Sequence, residues 1–112
     1  MKRSRLPAAV LGVFAVISVQ HALAQSYPNK PISVIVPYGP GGVTDVLARA
    51  VSTEVSIALG QPILVLNKPG AGTAIGMREC AIAPPDGYTI CVTAPDSLSY
   101  LPQLSSDIGY DA

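Results

Sequence analysis

Histidine is nearly missing from this chain, cysteine is rare and charge is sparse. The 112 residues include one histidine, two cysteines and seven basic against seven acidic side chains. The histidine, His21, falls in an N-terminal leader, so the rest of the chain has no imidazole base. There is no Gly-x-Ser-x-Gly elbow either, which leaves any serine or cysteine nucleophile without its usual partner. Without histidine and without a Cys-x-x-Cys pair, a zinc site is not expected. No acid–base pair is assembled by motif, so the chain does not read as an enzyme and calls for no cofactor. Beyond the leader, Lys30, Arg49, Lys68 and Arg78 stand against seven carboxylates, a formal charge of −3. That balance excludes tracking of a nucleic-acid backbone. An anion site here must rest on backbone dipoles and hydroxyls, not on a basic field.

What is present begins with an address. Lys2, Arg3 and Arg5 form a basic start, Leu6 to Val19 is almost uninterruptedly apolar, and Ala22-Leu23-Ala24 supplies small residues at signal-peptidase spacing. The combination predicts a secretory signal over residues 1–24 with cleavage after Ala24, and hence an exported chain. The run is short for a membrane span, and an uncleaved anchor is the competing reading. Residues 25–112 then give 88 residues, enough for one small α/β unit with a thin core.

Those residues read as strand–loop–helix repeats. An apolar strand over 32–37 is followed by Gly39-Pro40-Gly41-Gly42-Val43-Thr44-Asp45 and an amphipathic helix to Leu59, stopped by Gly60. Thr44 or Asp45 is expected to cap that helix. Its apolar face is read as Val43, Val46, Leu47, Ala50, Val51, Val55 and Leu59, with Arg49, Ser52, Thr53 and Ser56 outward. A second strand over 63–66 leads into Asn67-Lys68-Pro69-Gly70-Ala71-Gly72 and a helix over 74–83 that ends before Pro84-Pro85. After the Asp86-Gly87 turn, Tyr88 to Thr93 forms a third strand, with a loop over 93–97. Residues 98–112 carry only a weak signal for one more helical turn. The pattern βαβαβ predicts parallel strands with right-handed crossovers. All three post-strand loops then open on the edge where open α/β sheets bind ligands.

The first loop is the sharpest signal. Glycines let successive N–H groups turn toward one point, and the helix start adds partial positive charge. A plain strand-to-helix turn, with Thr44 and Asp45 serving only as caps, is the competing reading. In the second loop, Gly70-x-Gly72-x-x-x-Gly76 with Asp96 downstream imitates a dinucleotide fingerprint, but its spacing is wrong and it lies on the second unit. Tyr38, at the mouth of the first loop, and Tyr100 are candidates to line a cleft, whereas Tyr88 reads as a core wall. Thr93 and Ser97 are candidate donors in the third loop, with local turn bonding as the alternative. Cys80 and Cys91 read as buried thiols; the alternative is a disulfide, which requires Cα atoms within about 7 Å.

Five ordered motifs carry a family resemblance. They are Tyr-Pro-x-Lys-Pro-Ile at 27–32, Val-Pro-x-x-Pro-Gly-Gly-x-Thr-Asp at 36–45, Leu-Gly-Gln-Pro at 59–62, Asn-Lys-Pro-Gly-Ala-Gly at 67–72 and Pro-Asp-Gly-Tyr-Thr at 85–89. The set closely resembles the Bug family, the TctC-like periplasmic solute-binding proteins of tripartite tricarboxylate transporters. The resemblance implies part of lobe 1 of a type II, Venus-flytrap binding protein that captures small carboxylates: di- or tricarboxylates, amino acids or aromatic acids. It also implies membrane transporter subunits as partners, a monomeric state and no nucleic acid. By motif, the ligand-binding residues would be Pro40, Gly41, Gly42, Val43, Thr44 and Asp45 in the first loop and Gly70, Ala71 and Gly72 in the second. The family usually reads Gly-Ala-Gly-Gly-Asn-Ile-Gly in the second loop. This chain has Thr73 and Ala74 in place of the fourth and fifth of those residues, so contact through them is in question. The chain reaches Ala112 where a family member has most of its length to run, so the second lobe and hinge are expected to be absent. A non-functional or partly folded remnant of such a receptor is the alternative to a working one.

Overall fold

The computed structural model describes residues 26–111. The leader, its cleavage site and the question of an anchor lie outside the described residues. Three strands form one parallel sheet: β1 (Ile32–Val36), β2 (Ile63–Asn67) and β3 (Thr89–Cys91), in the order β2-β1-β3. Ile32 pairs with Ile63 and Val36 with Asn67, while Ser33 to Ile35 pair with Thr89 to Cys91. Helix α1 (Val43–Leu59) joins β1 to β2, and α2 (Ala74–Ile82) joins β2 to β3. Because β1 is central and parallel to both neighbours, the three post-strand loops share one edge.

The sequence of β1 explains its central place. Ile32, Val34, Ile35 and Val36 are all buried, as expected for a strand covered on both faces. Val34 and Val36 pack with Ala48 of α1 and with Ile63, Val65 and Val92. On β2 exposure alternates along the strand, the pattern of a sheet edge with one covered face. The third strand holds three residues where six were expected. The chain leaves it early to form a helical turn over Asp96–Tyr100, continued by α3 (Leu101–Leu104).

The packing face of α1 differs from the expected one. Asp45, Ala48 and Ser52 are its buried residues, whereas Val43, Val46, Leu47 and Val51 are each more than half exposed. The periodicity identifies an apolar stripe but not where the sheet lies beneath it. Here the helix rests on its small residues, which bring its backbone close to the strands. The apolar flank instead borders a groove of about 210 Å³ with Val34, Ile90 and Val92.

The expectation of free thiols is also corrected. Cys80 in α2 and Cys91 at the end of β3 form a disulfide, with Cα atoms 6.2 Å apart. Cys91 lies on a short edge strand and is exposed, so it is not the core thiol that its apolar neighbours suggested. The bridge ties β3 to α2. Tyr88 is half-buried, not a core wall: its hydroxyl donates to Asn29 Oδ1, its ring meets Tyr27 edge-on, and Lys30 Nζ sits 4.2 Å from its centroid. It therefore anchors the entering segment. The tail is held as well, since Arg78 donates to the Ile108 and Asp107 carbonyls and Tyr110 to the Ser97 carbonyl.

Candidate functional site: the loop edge of the sheet

The first loop leaves β1 at the buried Pro37 and climbs through Gly39 to Gly42. Gly41 turns at φ +85°, a conformation that suits glycine. The helix cap is Gly42, with no side-chain hydrogen bond, so neither Thr44 nor Asp45 caps α1 as expected. The N–H groups of Val43, Thr44 and Asp45 in the first turn thus have no intrahelical acceptor. Gly41, Gly42 and Val43 are exposed and Thr44 is half-buried. This corner presents donors and the positive end of a helix dipole outward.

Asp45 faces the other way. The residue is only 3 % exposed. It accepts from the Gly41 N–H at 2.8 Å, from Arg49 Nε at 3.0 and 3.1 Å and from Asn67 Nδ2 at 2.9 Å. Arg49 also donates to Asn67 Oδ1 at 2.8 Å, and Asn67 Nδ2 to the Tyr38 carbonyl at 3.1 Å. Arg49, then the Gly41 N–H, then Asn67 hold the Asp45 carboxyl down from 3.8 to about 2. Its partners occupy it fully, so it clasps loop, helix and β2 together and does not repel an anion outside. Arg49 and Asn67 were not read as site residues. The signal was present: Arg49 stands four residues after Asp45 on one helix face, and Asn67 opens the second glycine motif.

The second loop is built under strain. Gly70, Ala71, Gly72 and Thr73 have φ of +130°, +48°, +63° and +85°. A β-branched residue at positive φ costs about 1–3 kcal/mol. Thr73 is the residue before α2, yet its side chain makes no capping bond, because a threonine cap needs extended backbone. Its Oγ1 is buried without any hydrogen-bond partner, a further penalty of about 1–3 kcal/mol. Gly76 locks this turn onto the sheet. A Cβ there would lie 2.7 Å from Pro37 Cβ and 2.8 Å from the Lys68 carbonyl oxygen.

The third loop is tied to the first through Tyr38. The Tyr38 hydroxyl donates to Asp96 Oδ1, accepts from the Ala94 N–H at 3.1 Å and lies 3.2 Å from Ser97 Oγ. Ser97 is wholly buried and sits inside this cluster, not on the open edge. Thr93 is half-buried, with a long 3.4 Å bond to the Ala94 carbonyl. Tyr100 is 65 % exposed. The structure therefore brings Tyr38 and both glycine loops to one edge, turns Asp45 and Ser97 inward, and leaves Tyr100 in solvent. Among the described residues, no group of three or more His, Cys, Asp or Glu could hold a metal ion.

Structural neighbours place this parallel α/β sheet, with its glycine turns at the carboxyl edge, in the periplasmic-binding-protein class of folds. The comparisons agree. A solved periplasmic transporter superposes with a TM-score of 0.74 and 48 % identity, over 77 % of this chain and 29 % of that one. Periplasmic binding protein BugD gives 0.68 and 38 %, over 76 % and 28 %. Residues 47–112 match the family described as tripartite tricarboxylate transporter family receptor. The chain belongs to that family. A UPF0065 protein of Bordetella pertussis is 34 % identical over 98 % of this chain and 34 % of its own length. The chain thus spans about a third of the curated relatives it matches. Two further structural neighbours are described with ligands: an R. palustris protein with adipate (TM-score 0.61, 33 % identity, over 62 % of this chain and 23 % of that one) and MatC from Rhodopseudomonas palustris with bound malate (0.56, 40 %, over 58 % and 22 %).

Proposed function

We propose that this chain supplies the carboxylate-receiving edge of a periplasmic solute receptor, which hands its ligand to the membrane subunits of a tripartite transporter. The uncapped start of α1 beside Gly41 and Gly42 carries this reading. The N–H groups of Val43 and Thr44, with the Thr44 hydroxyl, are the donors to a ligand carboxylate, and Tyr38 fixes the wall beside them. Gly70 to Gly72 supply the facing turn. Asp45 contributes by holding Gly41 in place. The adipate and malate described for structural neighbours support small carboxylates as the ligand class. The leader expected from residues 1–24, the −3 formal charge beyond it and the absence of a basic field fit a periplasmic receptor that recognises an anion by local dipoles.

On this chain alone the site is open to water. Hydrogen bonds there net about 0.5–1.5 kcal/mol each, less the loss of ligand freedom. Three or four of them give a Kd no tighter than about millimolar. Titration of adipate and malate into the isotope-labelled chain, followed by amide chemical shifts, tests this. The expected response is saturable movement of the Gly41 to Thr44 amides. A flat response at those amides, with the fold intact, rejects the proposal.

A further inference from the structure

The two edges of the sheet are guarded differently. The β3 edge is three residues long and tied to α2 by the Cys80–Cys91 bridge. The β2 edge runs for five residues, Ile-Leu-Val-Leu-Asn, in unbroken register with β1. It carries no charge, proline or bulge, the devices that keep sheet edges from pairing. Lys68, just beyond it, is drawn to Glu79 at 3.2 Å. The Ile32 N–H donates to the Pro62 carbonyl and the Lys68 N–H to the Val36 carbonyl. Even-numbered residues of β2 therefore bond to β1. The N–H and C=O groups of Ile63, Val65 and Asn67 point away from the sheet, with no main-chain partner among the described residues. Leu64 and Leu66, on the face opposite α1, are 48 % and 37 % exposed. On the α1 side, a groove of about 490 Å³ runs along the strand, lined by Arg49, Ser52, Thr53 and Ser56 beside Ile63 and Val65.

We propose that β2 pairs antiparallel with β2 of a second copy of this chain, about a two-fold axis at Val65, so that two sheets become one. The edge is self-complementary in this register. Val65 faces the partner's Val65, and Ile63 the partner's Asn67, as hydrogen-bonded pairs. Leu64 meets the partner's Leu66 as a close, non-hydrogen-bonded pair, twice across the axis. On the other face the groove gives room for the two α1 helices to lie side by side, with Ser52, Thr53 and Ser56 short enough for close approach. Charge is complementary there. The helix dipoles run antiparallel, and Arg49 of one protomer comes toward the last turn of the partner's α1, which has no basic residue of its own. The contact is smaller than the about 800 Å² per partner of a standard interface, which sets a dissociation constant on the order of 100 μM. Antiparallel pairing sends the two loop edges to opposite ends, so the proposed carboxylate site stays open and the inference does not rest on it.

The test is sedimentation of the full chain from about 10 μM to about 1 mM, a range that brackets that constant. Two variants accompany it. Val65→Pro removes an outward N–H and spares the β1 ladder, and Leu64→Lys sets charge on the seam. The expected result is association that stops at the dimer, because a two-fold contact uses up the edge, and that weakens about tenfold or more in both variants. Crosslinking keeps the proposal testable should either variant fail to fold. Under oxidation Val65→Cys should give a covalent dimer, whereas Val51→Cys, on the opposite flank of α1, should not. A chain that stays monomeric up to about 1 mM overturns the inference. So does a dimer that is unaffected by Leu64→Lys, or one that crosslinks through Val51→Cys and not through Val65→Cys. Association that continues past the dimer overturns it too.

Discussion

The two glycine loops solve the same problem by opposite means. The first is held by hydrogen bonds: Asp45 gathers Gly41, Arg49 and Asn67, and Asn67 reaches the Tyr38 carbonyl. Its one positive φ falls on a glycine. The second has four successive positive φ angles, two on residues with side chains, and an unpartnered hydroxyl. It is held by packing of Gly76 against Pro37 and the Lys68 carbonyl. The first loop is therefore set by a satisfied polar network and the second by close packing, so different substitutions break them.

Breaking the first loop's network should have the largest effect. Asp45→Ala leaves the Gly41 N–H, Arg49 and Asn67 without their shared acceptor, and it is expected to lower the melting temperature more than any other change named here. The companion Asn67→Ala, which spares the carboxylate, should fall between it and the unaltered chain in the same thermal melts. If Asp45→Ala melts with the unaltered chain, the clasp does not hold the loop. Reducing the Cys80–Cys91 bridge, which closes a short loop, should remove about 2–3 kcal/mol in denaturant titrations with and without reductant. Gly76→Ala, which forces a methyl onto Pro37 and the Lys68 carbonyl, should cost about 1–3 kcal/mol. A neutral result would show that α2 can move away from the sheet. Thr73→Gly works in the other direction. Release of the left-handed threonine should stabilise the chain by about 1 kcal/mol in the same denaturant titrations.

Acid provides the mildest discrimination. The Asp45 carboxyl is lowered in the folded chain, so its contribution is present above the ordinary value of 3.8 and is lost as pH falls toward about 2. Stability measured down through that window should decline in the unaltered chain and decline less in Asp45→Asn. The second loop has no carboxylate of its own and should not add to the slope. Parallel declines in the two proteins would place the acid sensitivity elsewhere, for example at Asp86, whose carboxyl is lowered by the Tyr88 N–H and by Lys30.

Much of this architecture can be read from local chemistry. Gly60 ends α1 in the left-handed conformation, Pro84 follows the end of α2, and the continuous apolar run of β1 becomes the central strand. These are near-neighbour effects, set by backbone freedom, ring closure and alternation. The loop motifs could likewise be placed on one edge, because parallel βαβ units leave no other arrangement. The amphipathic reading of α1 went astray for a physical reason. Hydrophobicity marks residues able to be buried, but contact is made where backbones come close, and Ala48 and Ser52 allow closer approach than Leu47 or Val51.

What the sequence determined by itself, then, is the order of elements, their parallel pairing and the presence of two glycine turns, all of which follow from short-range sterics. Only the tertiary structure decided how individual side chains were used. Asp45, apparently a ligand-facing acid, is turned inward because Arg49 and Asn67 converge on it from α1 and β2. Ser97, apparently a donor at the edge, is buried beside Tyr38. Cys80 and Cys91, apparently core thiols, meet because α2 packs against β3. Thr73 keeps an unused hydroxyl because the turn before α2 holds it at positive φ. The first three of these outcomes depend on separate elements of the chain meeting in space, which no local pattern encodes.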